Sequence, residues 1–255
     1  MHRPRKRFGQ NFLVDAPTIQ SLISLIAPQD TDHILEIGPG KGALTKPLLG
    51  KVNRLEVIEI DRDLIEHLET LATNQQLTVH NHDALTFDFS DCSTARRIVG
   101  NLPYNISTPL LFHLLDHLPW IIDMHFMLQK EVVDRICAKS GNRNFGRLAA
   151  MVQSKCNTEL LLHVPPESFS PEPKVNSAFL RLTPRENQLI PSELESTFQD
   201  IVKKCFSQPR KTLANNLKNV IAQDIMEKNG INPSMRPQEL QLEQLALLAH
   251  LKKNQ

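Results

Sequence analysis

Residues 34–45 read ILEIGPGKGALT: an apolar run, three glycines at alternate positions, then a helix-compatible stretch. A strand that breaks at Gly38, Gly40 and Gly42 and resumes as a helix lets the backbone turn sharply and approach a ligand where a Cβ would clash. The spacing is G-x-G-x-G rather than the G-x-G-x-x-G of a dehydrogenase, so a nicotinamide site is not indicated. The next apolar run, RLEVIEI (54–60), ends around Glu59, whose carboxylate can accept hydrogen bonds from both hydroxyls of a ribose. A third, LTVH (77–80), is followed by Asp83 at the carboxyl edge of the expected sheet, where an adenine amino group could donate to it. Open parallel sheets bind their ligands at that edge.

These runs belong to a longer alternation. HILEI (33–37), RLEVIEI, LTVH, RRIVG (96–100) and the apolar run around His125–Leu128 are separated by amphipathic stretches at Thr18–Ile26, Asp63–Leu71 and Thr108–Leu118. Asp15 is placed to cap the first helix, with Pro17 in its first turn. Such alternation predicts an α/β fold with a mostly parallel sheet. LLLHV (160–164) and the alternating Val175, Ser177, Phe179 and Arg181 predict two further strands and an antiparallel edge. From Glu193 onward the period is helical and no strand is convincing. A boundary therefore falls near Pro184, giving an α/β domain over 1–184 and a small all-helical domain over 185–255.

The fourth strand runs into NLPYNIS (101–107), the strongest chemical signal in the chain. An adenine amino group is a poor nucleophile because its lone pair is delocalised into the ring. If the Asn101 side-chain oxygen and the Leu102 carbonyl both accept its hydrogens, the nitrogen is drawn toward tetrahedral geometry and its lone pair is freed to attack an electrophilic methyl. Pro103 stiffens the turn and adds no competing N–H. Tyr104, the only tyrosine, can stack on an extruded base. Positioning then supplies most of the rate, with no strongly activated base.

Length and composition bound the alternatives. The 255 residues are 40% hydrophobic, enough for a core of ordinary size, and 29 basic against 28 acidic side chains leave a net charge of +1. That balance conceals three acid-free basic blocks: Arg3, Arg5, Lys6 and Arg7; Arg135, Lys139, Arg143, Arg147 and Lys155; and Lys203, Lys204, Arg210, Lys211 and Lys218. Together they suggest a face that meets a polyanion, with Arg143, Arg147, Lys203, Lys204, Arg210 and Lys211 as candidate phosphate contacts. Four separated cysteines give neither a disulfide framework nor a zinc spacing, and read as thiols of a reducing cytoplasm. No metal site is expected. The basic opening lacks an apolar segment behind it and no run approaches a membrane span, so neither secretion nor a membrane partner is expected.

The whole chain resembles the ribosomal RNA adenine dimethyltransferases, most closely their bacterial small-subunit (16S) group. The likeness runs from RFGQNFL (7–13) through IGPGKGALT, VIEIDRD, HDAL, NLPYNIST and FSPEPKVNSAF (169–179) to FSQPRKTLANNLK (206–218) and NGINPSMRPQELQLEQLALLA (229–249). It implies a Rossmann-like class I methyltransferase domain and the cofactor S-adenosyl-L-methionine. It also implies dimethylation of two adjacent adenosines in the 3′-terminal hairpin loop of 16S ribosomal RNA, with that RNA and the immature small subunit as partners; nothing in the sequence suggests a dedicated interface between copies, so a monomer is expected. Carried across by position, the resemblance implies that Asn11 and Leu13 close over the cofactor and that Gly38 and Gly40 back its methionine moiety. Glu59 then holds the ribose, Asp83 the adenine, Asn101 lies between cofactor and target base, and Phe169 forms a second aromatic wall around that base. Lys41, Pro209 and Ala214 depart from the commonest family pattern and bear on RNA affinity rather than on the reaction.

Three rivals remain in view. A DNA adenine methyltransferase favours a second proline where this chain has Leu102 in Asn-Leu-Pro-Tyr, and carries a separate sequence-reading domain, so DNA is not expected as a partner. A large-subunit RNA methyltransferase shares the site but not the C-terminal pattern. A non-catalytic assembly factor need not keep Glu59, Asp83, Asn101 and Tyr104 together.

Overall fold

A computed structural model describes residues 10–71, 76–90 and 94–254. The first basic block (Arg3, Arg5, Lys6, Arg7) and Cys92 lie outside the described residues. The elements are β1 (Phe12–Leu13), α1 (Ala16–Ile26), β2 (His33–Ile37), α2 (Thr45–Leu49), β3 (Arg54–Ile58), α3 (Arg62–Glu69) and β4 (Leu77–His80). Then come β5 (Arg96–Asn101), α4 (Ser107–Leu115), β6 (Ile121–Gln129), α5 (Lys130–Ile136), α6 (Arg147–Lys155), β7 (Cys156–Val164), β8 (Phe169–Ser170) and β9 (Ser177–Pro184). The remainder is helical: α7 (Glu195–Cys205), α8 (Leu213–Asn216), α9 (Gln223–Lys228) and α10 (Leu242–Lys253).

Seven strands form one sheet in the order β4-β3-β2-β5-β6-β9-β7. The pairs from β4 to β6 are parallel and β9 runs antiparallel to β6. The chain builds outward from β2 to β4, then returns to add β5 on the other side of β2, so the strand order reverses between β2 and β5. A crevice opens where the two strands diverge at their carboxyl ends. Every residue of β2 is buried, as befits a central strand covered on both faces. Gly100 allows β5 to lie against it: a Cβ there would stand 2.5 Å from the Ile37 carbonyl oxygen. Asp15 caps α1 by accepting from Thr18 N at 2.9 Å, and Pro17 lies in the first turn, both as expected.

One charged cluster inside this layer is paired. Glu56 on β3 meets His33 at 2.5 Å, His80 at 2.8 Å and Arg96 at 3.5 Å. Burial opposes its ionisation, but the hydrogen bonds from both histidines and the Arg96 charge prevail and hold the carboxyl well below the usual range. His80 is thus a structural partner.

The chain divides into two compact units. One takes the residues up to Val133 together with Glu159–Pro184; the other takes Asp134–Thr158 and the chain from Arg185 onward. One division between the units falls after Pro184, and 134–158, within the 1–184 span of the expected α/β domain, clusters with the helical unit. The cause is packing. α6 buries Ala149, Ala150, Met151 and Val152 and touches α7 and α10. Lys155 pairs with Glu195 at 3.2 Å, and Gly141 N donates to Gln238 O at 2.7 Å.

Candidate active site

The crevice at the carboxyl ends of β2 and β5 is a cleft of about 1170 Å³, counted out to solvent. The loop 38–44 after β2 forms its floor. Gly38 and Gly40 both take positive φ, 67° and 57°. A Cβ added to Gly38 would stand 3.8 Å from Asn101 O and 4.0 Å from Pro103 Cδ, so a side chain there would grow into the gap between the glycine loop and the NLPY loop. The two glycines keep that gap open.

The expected ribose acceptor stands at the end of β3. Glu59 is 5% exposed; its Oε1 accepts from Asp61 N at 2.8 Å and its Oε2 from Gly40 N at 3.2 Å. Burial raises its carboxyl above the ordinary value against the pull of these backbone donors, and neighbouring Asp61 adds to the rise. Asp83, half-buried after β4, caps its own turn by accepting from Leu85 N at 2.9 Å and also lines the cleft.

Asn101 is the last residue of β5. Its Nδ2 donates to the Asn11 carbonyl at 3.0 Å, which leaves the amide oxygen as the acceptor. The bond joins the NLPY loop to the segment around β1, so Asn11 and Leu13 line the same cleft as Asn101, Leu102, Pro103 and Tyr104. The Tyr104 hydroxyl shares a 2.8 Å hydrogen bond with Ser177 Oγ on β9, which fixes the ring; burial raises its pKa.

Phe169 stands apart from this group. β8 pairs with β1 so that Phe169 faces Leu13, and the ring is 2% exposed in the core cluster that holds Phe12 and Phe179. It is not among the residues lining the cleft, and the aromatic wall expected of it is absent from the cleft in this conformation.

Of the cleft residues that escaped the sequence reading, two bear on its chemistry. Glu36, on β2 just before the glycines, lines the cleft although it is 1% exposed, and accepts from Thr45 Oγ1 at 2.7 Å. Its place in ILEIGPG was the available signal, but an acid inside an apolar strand looks like a defect until its hydroxyl partner is seen. Phe12 is the other: its ring lies 2.9 Å from where a Gly40 Cβ would be, with Lys41 Nζ 4.8 Å from its centroid. Lys41 therefore stacks on an aromatic ring beside the glycine loop.

All six candidate RNA contacts fall in the helical unit. Arg143 and Arg147 flank Phe145, whose ring packs edge-on against Phe206 at 5.9 Å. Phe206 directly follows α7, whose last turn carries Lys203 and Lys204. The Phe145–Phe206 contact thus draws two of the basic blocks together. Beyond Phe206, Asn216 clamps the loop bearing Arg210 and Lys211: its Nδ2 donates to the carbonyls of Gln208, Lys211 and Thr212 at 3.1, 3.2 and 3.1 Å, and its Oδ1 accepts from Gln208 N at 3.0 Å. The six side chains are exposed. Among the described residues no cluster of His, Cys, Asp and Glu could hold a metal ion, and no helix is long and apolar enough to cross a membrane.

Comparison with known proteins agrees along the whole chain. A family model described as "Ribosomal RNA adenine dimethylase" matches residues 1–254. Curated relatives named "Ribosomal RNA small subunit methyltransferase A" include one from Hydrogenovibrio crunogenus, 49% identical and covering 98% of this chain and 97% of its own. Another, from Dechloromonas aromatica, is 47% identical and covers 98% of each. Among solved structures, a dimethyladenosine transferase from Plasmodium falciparum superposes with a TM-score of 0.82 at 27% identity, covering 95% of this chain and 97% of that one. The 23S rRNA methyltransferase ErmE superposes at 0.75 and 25% identity, covering 95% and 100%. With a class I methyltransferase sheet, a glycine-floored cleft and an NLPY loop in order, this chain belongs to the ribosomal RNA adenine dimethylase family.

Proposed function

We propose that the chain transfers methyl groups from S-adenosylmethionine to the exocyclic amino groups of two adjacent adenosines in the 3′-terminal hairpin loop of 16S ribosomal RNA. It acts, on this reading, as a cytoplasmic monomer on the immature small subunit and not on DNA. The observation that carries the reading is the gathering of Glu59, Asp83 and the Asn101–Tyr104 loop around one glycine-floored cleft.

The donor set fits an adenosyl cofactor. Gly38 and Gly40 leave room for it, Glu59 presents carboxylate oxygens for its ribose, and Asp83 offers an acceptor to its adenine. When bound, the cofactor supplies an electrophilic methyl on a sulfonium sulfur. Asn101, its amide nitrogen engaged by Asn11, offers its oxygen to one hydrogen of the target amino group, and the Leu102 carbonyl offers a second acceptor. Tyr104, braced by Ser177, gives the extruded base a face to stack on. Leu13 and Phe12 exclude water from that side. In the helical unit, Arg143, Arg147, Lys203, Lys204, Arg210 and Lys211 hold RNA phosphates, which makes binding salt-dependent.

Methyl transfer from labelled S-adenosylmethionine to unmodified small subunits, followed by nucleoside mass spectrometry, tests this, with large-subunit RNA and DNA as parallel acceptors. Dimethyladenosine confined to small-subunit RNA is expected. Asn101→Ala should lower the rate by about 100-fold or more while cofactor binding persists, the scale of losing one preorganised hydrogen-bonding group. Near-normal turnover of that variant would remove Asn101 from the chemistry. The likeness to ErmE makes the large-subunit arm a real alternative, and methylation there would keep the reaction and overturn the substrate.

A further inference from the structure

Glu36 is the one acid of the cleft that the chemistry above leaves unused. It sits on the central strand at the base of the glycine loop, 1% exposed yet lining the cleft, with Thr45 Oγ1 at 2.7 Å as its hydrogen-bond donor. The other strong influence on it is Glu59, a second buried acid. The other ionisable groups around the cleft are Lys41 and Lys46 on the loop and α2, Asp61 after β3, His82 and Asp83 after β4, and Tyr104 after β5; on the strands themselves, His33, Arg54, His80 and Arg96 pair with Glu56, and Arg97 with Asp32 and Asp123. Of these, Lys41 is directed over the Phe12 ring.

A carboxylate in such a place is poorly solvated and faces a like charge. We propose that Glu36 carries a proton in the free chain and releases it when the sulfonium-bearing cofactor binds, so that cofactor binding and proton release are a single linked event. The inference rests on the adenosyl-cofactor reading of the cleft. The step balances: the carboxyl O–H bond breaks, the proton passes to buffer, and the carboxylate left behind offsets the positive charge brought in. Transfer of the methyl leaves the cofactor as an uncharged thioether, which removes the reason for Glu36 to stay ionised. Reprotonation then accompanies product formation and favours exchange of product for fresh cofactor. Burial raises the Glu36 carboxyl to about 7, with Thr45 opposing and Glu59 adding to the rise, so the linkage falls at neutral pH.

Calorimetric titration of the full chain with S-adenosylmethionine and with S-adenosylhomocysteine, in phosphate and in Tris at pH 7, reads the proton directly because these buffers differ in ionisation enthalpy. Release of about half a proton per S-adenosylmethionine is expected at pH 7, with affinity rising about tenfold from pH 6 to pH 8, as follows from a group titrating near 7. S-adenosylhomocysteine should release less than half as much. Glu36→Gln should bind without this release, and subtracting its heats removes any proton taken up by the cofactor's own amine. Thr45→Val, which deletes the donor that favours the charged form, should move the release toward one full proton, and it decides the matter if the Gln variant does not fold. Equal heats in the two buffers for the wild type, equal release with both ligands, or undiminished release in Glu36→Gln each overturn the proposal. No heat with either ligand would instead defeat the adenosyl reading of the cleft, and this inference with it.

Discussion

Replacing Glu36 by Gln isolates the effect of one buried ionisation on the stability of the chain. An unfolded glutamate titrates at 4.5, whereas in the fold burial raises this carboxyl to about 7 despite the Thr45 hydrogen bond. Below 4.5 both states are protonated and the group contributes nothing to the pH dependence. As pH rises from 4.5 to about 7, the unfolded chain ionises while the folded chain does not, so stability is lost across that window and stays lost above it. At ~1.36 kcal/mol per pKa unit the loss is about 1 kcal/mol at pH 5, about 2 at pH 6 and about 3 at pH 8. Glutamine has no such titration, and its amide oxygen can keep the Thr45 hydroxyl as donor. Any other difference between the two side chains is independent of pH. Urea unfolding of wild type and Glu36→Gln from pH 5 to pH 8, without cofactor, should therefore show the variant gaining about 2 kcal/mol on the wild type across the range. A gap that stays constant with pH would refute the reasoning, because it would mean that Glu36 is solvated or paired well enough to ionise in its normal range.

Glu59→Ala should weaken S-adenosylmethionine binding by about tenfold or more, the scale of losing hydrogen bonds to a charged acceptor, and an unchanged calorimetric affinity would take Glu59 out of the site. Gly100→Ala forces a Cβ to within 2.5 Å of the Ile37 carbonyl and should cost about 1–3 kcal/mol in denaturant unfolding; full stability would show that β2 and β5 can separate without penalty. Asn216→Ala unties the loop bearing Arg210 and Lys211 and should lower RNA affinity severalfold while leaving cofactor affinity alone, as fluorescence anisotropy would read. Equal RNA affinity would mean that the loop needs no such clamp.

The sheet was legible because its strands are short apolar runs separated by helical period, the strongest signal a sequence offers: HILEI and LTVH match β2 and β4 residue for residue. The glycine loop, Glu59, Asp83 and NLPY were legible for a related reason, since each follows a strand and so lies at one edge of the sheet. What stayed hidden depends on pairings distant in sequence. Phe169 reads as a site aromatic until β8 pairs with β1 and turns it into the core. The segment 134–158 reads in sequence only as a basic block within residues 1–184, and its place beside the helical unit appears only when α6 buries its small apolar face against α7 and α10. Glu36 reads as an anomaly in a strand until Thr45, nine positions later, turns its hydroxyl inward.

The pairing of Phe12–Leu13 with Phe169–Ser170 also bears on how the protein emerges from the ribosome that makes it. The glycine loop, Glu59, Asp83 and Asn101 are all synthesised before β8 exists, so the parallel strands can assemble while β1 still lacks its neighbour. The segment bearing Asn11 and Leu13 gains its strand partner only once Phe169 and Ser170 are made, and a nascent chain halted short of Phe169 carries most of the pocket's chemistry without that pairing. Such a chain should bind cofactor weakly or not at all, and arrest series displayed on stalled ribosomes would show affinity arriving in one step as Phe169 clears the exit tunnel. A gradual rise before that point would mean that the amino-terminal strand docks without its distant partner.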